Sequence, residues 1–301
     1  MSPPSPATAP SKSPLSAGTI YALLAYGSWG LLPIYWKFFG QSSPIDVLCH
    51  RIIWSLAFLG GLLLLQQRQA EVRSLLQSRR RVALLLLSAV LLTCNWGLYI
   101  YGVNTDRVIE TSLGYFINPL VTVLLGFVVL KERFRLGQQI AVGLAVAAVG
   151  YFVWQFGAVP WIALGLAGTF AFYGLVRKVV VVSPMVGLAI ETLLMTPAAL
   201  IFLVYAEARG TGNFGTSLPL TLLFIGAGVV TSMPLLWFNN AAKRLRLSTL
   251  GLFQYLAPSV QLLLGVFLYG EPFTPTHAVT FGLIWAALLL YSTTSLTAIK
   301  R

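Results

Sequence analysis

Ten runs of predominantly apolar residues divide the chain: 17–39, 45–66, 81–101, 111–130, 137–156, 160–181, 184–206, 218–239, 249–269 and 275–298. A bilayer core takes about 20 apolar residues to cross as a helix. The runs are too long for membrane barrel strands, which alternate over about 10 residues. The pattern therefore predicts an all-α integral membrane protein with ten transmembrane helices. Several connections are very short, which makes their flanking helices antiparallel hairpins. The sixth run is the least clean, because Arg177 and Lys178 fall near its end. Residues 1–16, rich in Pro, Ser and Ala, cannot bury a core and are expected to form a disordered tail. They lack the charged, apolar and cleavage regions of a signal peptide, so the first span is expected to be retained.

The polar connections set the orientation. With the N-terminus inside, the inner loops hold Lys12, Arg68, Arg73, Arg79, Arg80, Arg81, Lys131, Arg133, Arg135, Arg177, Lys178, Lys243, Arg244, Arg246, Lys300 and Arg301. Only Lys37, Arg51, Arg107 and Arg209 are left over. This asymmetry puts both termini in the cytoplasm by the positive-inside rule. It also explains the net charge of +12 without nucleic acid, since the basic residues sit in short loops between apolar spans.

One stretch occurs twice. Leu-Gly-Tyr-Phe-Ile-Asn-Pro at 113–119 is followed by Gly126, Glu132 and Phe134; Leu-Gly-Leu-Phe-Gln-Tyr-Leu-Ala-Pro at 250–258 is followed by Gly265, Glu271 and Phe273. From each proline the glycine comes at +7, the glutamate at +13 and the phenylalanine at +15. Ser43-Pro44 and Lys37 find counterparts in Ser183-Pro184 and Arg177 at a shift of 140. A near-constant shift implies duplication. Five spans per half is an odd number, so the halves 17–156 and 157–301 should be inverted repeats, a design many secondary transporters use.

Composition changes this picture little. Charged residues are 9% of the chain, against about 25% in soluble domains. Cys49 and Cys94 lie in apolar runs and read as small buried hydrophobes rather than a disulfide. No zinc, haem or iron–sulfur spacing occurs, and no cofactor is expected. The Gly-x4-Gly-Lys-Ser/Thr phosphate loop is missing, so ATP is not the direct energy source.

Candidate chemistry lies inside the spans. At the shift of 140, Arg51 falls on Glu191, each seven residues after its Ser-Pro. A charge in mid-bilayer is costly and faces a cavity or a partner rather than lipid. Two readings stay open: the pair lines or bridges a cavity between the halves, or it is a static ion pair. Glu191 is also the proton-coupling candidate. His50 reads equally as a helix–helix hydrogen-bonding residue and as a substrate ligand or relay. Trp29, Asn95, Trp96 and Tyr99 lie deep enough to line a pocket for an amphiphilic or aromatic solute. Tyr35, Trp36, Trp161 and Trp237 read as interfacial anchors. Asn118, Gln254 and Gln261 are weaker cavity candidates; Asn118 shares a helix face with Gly114, Thr122 and Gly126, where small and polar residues permit close packing. Pro119 and Pro258 each delete a helix hydrogen bond. Glu132 and Glu271 end their spans beside loops and read as structural, bonding a neighbouring loop or helix start.

These residues resemble a known group. The doubled Leu-Gly-x-Phe…Pro…Gly…Glu pattern resembles the paired EamA repeats of the drug/metabolite transporter superfamily. Within that superfamily, Gly-Ser-Trp-Gly-Leu-Leu-Pro-Ile-Tyr-Trp-Lys (27–37), His-Arg-Ile-Ile-Trp-Ser (50–55), Asn-Trp-Gly-Leu-Tyr-Ile-Tyr (95–101) and Ser-Leu-Gly-Tyr-Phe-Ile-Asn-Pro-Leu (112–120) are similar to the RarD permeases. The resemblance implies ten helices, a central cavity and alternating access in a bacterial inner membrane. The expectation is a permease for a small organic metabolite or drug-like solute, with the lipid bilayer as its surroundings and a homodimer left open. The rivals are a non-transporting membrane partner or sensor, and an intramembrane enzyme. The enzyme would need a nucleophile–base set or metal ligands that His50 and His277 alone do not supply.

Overall fold

Ser43-Pro44 and Ser183-Pro184 each open a helix, because proline at the first helical position gives up an N–H that has no partner there and presets φ. The computed structural model describes residues 17–40, 42–130, 136–180, 182–242, 244–245 and 253–299. Outside them lie the tail 1–16, Lys131, Glu132, Arg133, Phe134 and Arg135, Lys243 and Arg246, Leu250 and Gly251 at the head of the second repeat, and Lys300 and Arg301.

Among the described residues the chain is helical, with no strand. Its helices are α1 (Ala17–Lys37), α2 (Pro44–Leu65), α3 (Gln69–Leu76), α4 (Arg79–Asn104), α5 (Val108–Leu130), α6 (Leu136–Phe156), α7 (Trp161–Val179), α8 (Pro184–Ala208), α9 (Leu218–Ala242), α10 (Leu256–Leu263) and α11 (Pro275–Ile299). Eight of them, α1, α2, α4, α6, α7, α8, α9 and α11, contain a segment long and apolar enough to cross a membrane. Helix α5 is 23 residues of mostly apolar sequence. Helix α10 continues into a π-helical turn, Leu264–Leu268, and the two together form a shorter apolar helix. The protein is therefore a multi-pass membrane protein. Its outside confirms the solvent: Val146, Ile201, Val204, Phe267 and Leu289 are all more than 60% exposed. In water such a surface would be a large apolar patch.

Helix α3 corrects the expectation of a plain loop after residue 66. Its Val72 and Leu75, three apart on one helical face, pack against Leu59 and Leu63 of α2 and Val180 beyond α7. Pro258 sits in the first turn of α10, where proline is tolerated. Its carbonyl accepts a hydrogen bond from Ser112 Oγ of α5 at 2.8 Å.

The core forms in layers. One cluster joins the end of α1 (Leu32, Trp36), the start of α2 (Val47), the end of α4 (Tyr99, Val103), and the starts of α5 (Val108), α7 (Ile162, Leu166) and α9 (Phe224). A second joins the end of α2 (Leu59, Leu63), α3 (Leu75), the first half of α4 (Leu85, Leu92) and the start of α8 (Met185, Ile190). The start of α7 thus lies in the same layer of the core as the end of α1. Helices α5 and α7 pack together, as do α10 and α1; α4 packs on α7 as α9 does on α1; α6 lies along α11 and α2 along α8.

Candidate functional site

Glu191 is 1% exposed in the first half of α8. Ser88 Oγ of α4 donates to its Oε1 at 2.6 Å, and the Tyr173 hydroxyl of α7 donates to its Oε2 at 3.3 Å. Arg177 Nη1, from the last turn of α7, lies 3.4 Å from Oε1. Its guanidinium reaches that point across Gly187, where a side chain would collide with it. Of the two readings left open for Arg51 and Glu191, the static ion pair is not formed among the described residues. Arg177 is the cation beside Glu191. Beyond it, Ser183 Oγ bonds Arg68 at 2.8 Å and Glu71 at 3.1 Å, and Arg68 pairs with Glu71.

Arg51 is 4% exposed and has no carboxylate within ion-pair distance among the described residues. Its guanidinium lies 3.9 Å from the Trp96 ring centroid and 4.8 Å from that of Trp36. Tyr35, Tyr99 and Tyr115 are its electrostatic neighbours. Cation–π contacts supply about 0.5–2 kcal/mol each, whereas burying an unpaired ion costs several kcal/mol. Arg51 Nε and Nη1, Trp36 Nε1 and the Tyr99 hydroxyl are all buried without a hydrogen-bond partner in the protein. Trp36 is fully buried, and Tyr35 donates to Leu223 O across the bundle, so neither is an interfacial anchor. Trp161, 45% exposed beside Arg107, fits that role.

Trp96 stands between the two charges. It stacks on Arg51, and with Ile52, Ala89, Leu92, Thr93, Thr192 and Glu191 it surrounds a crevice with no room for a water molecule. A wider apolar groove of about 590 Å³ lies between α2, α3 and α8, lined by Leu56, Gly60, Leu63, Val72 and Arg73 among others. It touches neither charge.

The remaining candidates separate. Asn95 ties α4 to α7, donating to Leu166 O and Thr169 Oγ1, both at 3.0 Å. His50 lies 3.7 Å from Asp46 one turn earlier and stacks on Phe214, away from the Arg51 cluster. Trp29 packs on Tyr26 and Phe238, and its carbonyl accepts from Gln261 Nε2 at 3.1 Å. Gln254 is half-buried beside Tyr255. Asn118 keeps a buried Oδ1 without a partner. Thr122 is exposed and bonds its own helix. Cys49 is buried as expected, but Cys94 is exposed on the outside; both are free. Glu271 caps α5, accepting the Val108 and Ile109 N–H groups at 2.6 and 2.8 Å. Burial pushes its carboxyl above the ordinary range, against the pull of those two bonds. Among the described residues no His/Cys/Asp/Glu cluster could hold a metal. The sequence reading missed Arg177, Ser88, Tyr173 and Tyr115 as site residues. Of these, Arg177 and Tyr115 had a signal, since both lie in the duplicated motifs.

The EamA-like transporter profile matches the sequence twice, over residues 16–154 and 159–293. The chain belongs to the EamA-like transporter family. Its RarD resemblance holds as well. Protein RarD of Salmonella typhi is 48% identical over 275 residues, covering 91% of this chain and 94% of the relative. Protein RarD of Escherichia coli K12 is 45% identical over 275 residues, covering 91% and 93%. The uncharacterized transporter YojE of Bacillus subtilis is 43% identical over 282 residues, covering 91% and 93%. A solved crystal structure shares the fold, with a TM-score of 0.60 at 17% identity over 92% of this chain and 98% of that one.

Proposed function

We propose that the chain is a secondary transporter moving a small organic solute across the bacterial inner membrane by alternating access, both termini in the cytoplasm. In this reading ten helices form two inverted five-helix units, 17–156 and 157–301. Two kinds of packing support the inversion: the start of α7 shares a core layer with the end of α1, and the pairs α5–α7 and α4–α7 have counterparts in α10–α1 and α9–α1. The observation that carries the proposal is the placement of Arg51 and Glu191. Each is buried seven residues into a helix with a Ser-Pro start, and each sits in its own network with Trp96 between them. In this reading Lys37–Asp106 latches one end, and Arg177–Glu191 with Arg68–Ser183–Glu71 latches the other. The occluded step of this cycle keeps both sets of contacts, and transport means breaking one end at a time.

The test is flux. Proteoliposomes loaded with a bacterial metabolite extract should release one or a few small organic solutes only when the protein is present, as read by mass spectrometry. Release of nothing beyond protein-free vesicles would favour a membrane partner or sensor, and chemical turnover without release would favour an enzyme.

A further inference from the structure

We propose that Arg51 is the docking point for an anionic group, a carboxylate or phosphate, on the transported solute, and that the rings around it receive an apolar or planar part of the same molecule. The inference rests on the transporter reading.

The chain has eight acidic residues. Seven are described, and six of these are engaged away from Arg51. Asp46 is held by Asn213 and His50, Glu71 by Arg68, Asp106 by Lys37, Glu110 by Arg107, Glu191 by Arg177, and Glu271 by the α5 amides. The seventh, Glu207, is exposed near the far end of α8. No described carboxylate is left for Arg51. A buried guanidinium is ordinarily paired, because the field of an isolated charge in an apolar interior is costly.

The groups around it sharpen the point. Arg51 Nε and Nη1 and Trp36 Nε1 are donors only, and the Tyr99 hydroxyl, which can donate or accept, does neither within the protein. Four groups with unused N–H or O–H donors, from α1, α2 and α4, therefore lie about one guanidinium, and none is bonded to a protein acceptor. Such a set is complementary to an oxygen-rich anion, and a guanidinium fork suits the two oxygens of a carboxylate or phosphate. Trp36 and Trp96 hold the guanidinium by their rings. Those contacts fix its position without using its N–H groups, which stay available.

The test uses the full chain purified in detergent, with Trp fluorescence as the readout, since Trp36 and Trp96 flank the site. The probes are benzoate, phenyl phosphate and succinate, each beside an uncharged analogue: benzamide, benzyl alcohol and succinamide. Components of a metabolite extract retained by the protein are identified by mass spectrometry. At least one acid should quench saturably and bind at least tenfold more tightly than its analogue, and the retained components should be anions. Arg51→Lys should weaken the acid tenfold or more, and Arg51→Met should abolish its binding. Tyr99→Phe should weaken it severalfold. Arg51→Met also removes an unmatched buried charge, so it should stay monodisperse and unfold no earlier than the wild type. Equal binding of acid and analogue, no retained anion, or unchanged acid binding by Arg51→Met would each overturn the proposal. The transporter reading fails separately. Flux restricted to neutral solutes keeps the carrier and removes the anion site; anion binding at Arg51 without flux does the reverse.

Discussion

Glu191 and Glu271 are both buried carboxylates, yet their surroundings give them different work. Glu271 answers two backbone N–H groups at the α5 start, which no other helical residue can satisfy. Glu271→Ala leaves both donors buried and unmet, at about 1–3 kcal/mol each. The variant should unfold markedly earlier in detergent, and Glu271→Gln, which keeps one acceptor, should fall between it and the wild type. Glu191 instead faces one hydroxyl on each oxygen and a single arginine, Arg177, at 3.4 Å. A carboxylate so placed can take up a proton when Arg177 swings away, which makes it the coupling candidate. Glu191→Gln should therefore flatten the pH dependence of solute flux in vesicles. An unchanged pH profile removes Glu191 as the proton carrier. That Arg51 and Glu191 form no ion pair also belongs at this scale, and it fits the proposed inverted repeat. Equal register in an inverted repeat puts two residues at equal depth from opposite faces, not side by side. At 1.5 Å per residue each lies roughly 10 Å from its own end of a core about 30 Å thick, which leaves a gap between them. Trp96 fills it.

Helices here approach as closely as their backbones permit, and glycine positions record where. At Gly228 of α9 an added Cβ would run into the Trp54 carbonyl and the Ser55 nitrogen of α2, which are backbone atoms that cannot turn aside. At Gly114 of α5 it would lie 2.8 Å from Ala163 O of α7. At Gly143 of α6 nothing lies within 4 Å. Gly228→Ala should therefore cost about 1–3 kcal/mol by forcing the helices apart. Gly143→Ala should be neutral or stabilising by up to about 1 kcal/mol through helix propensity. Thermal unfolding of the two variants in one detergent checks the contrast; equal shifts would show that the α2–α9 contact is not tight. The spans were legible because an apolar run of bilayer length has few other readings. Their partners were not: the repeat marked Gly114 as a packing residue but could not say that α7 was its neighbour. Helix α3 was hidden in a basic stretch, where Val72, Leu75 and Leu76 were too few to outweigh the arginines as a signal.

The proposed inversion of the two halves concerns the whole chain, and one pair of equivalent residues tests it. Ser43 and Ser183 open α2 and α8 at the same point of the repeat, each followed by the proline that starts the helix. If the halves are inverted, these two serines lie on opposite faces of the membrane. Their neighbours agree: Ser183 is bonded to Arg68 and Glu71 beside the arginine-rich start of α4, whereas Ser43 is exposed, next to Ser42, which bonds Phe39 O beyond the end of α1. The basic start of α4 belongs on the cytoplasmic side. With Cys49 and Cys94 replaced by serine, Ser43→Cys should react with a membrane-impermeant maleimide in intact spheroplasts. Ser183→Cys should react only in inverted vesicles. Because Ser183 is partly shielded by Arg68 and Glu71, Glu71→Gln should speed its labelling by loosening the closed end, and solute that stabilises the occluded step should slow it. Labelling of both cysteines from one side would mean that the halves run the same way up. In that case Arg51 and Glu191 would lie at one depth, and a path that opens first on one face and then on the other would have no structural basis.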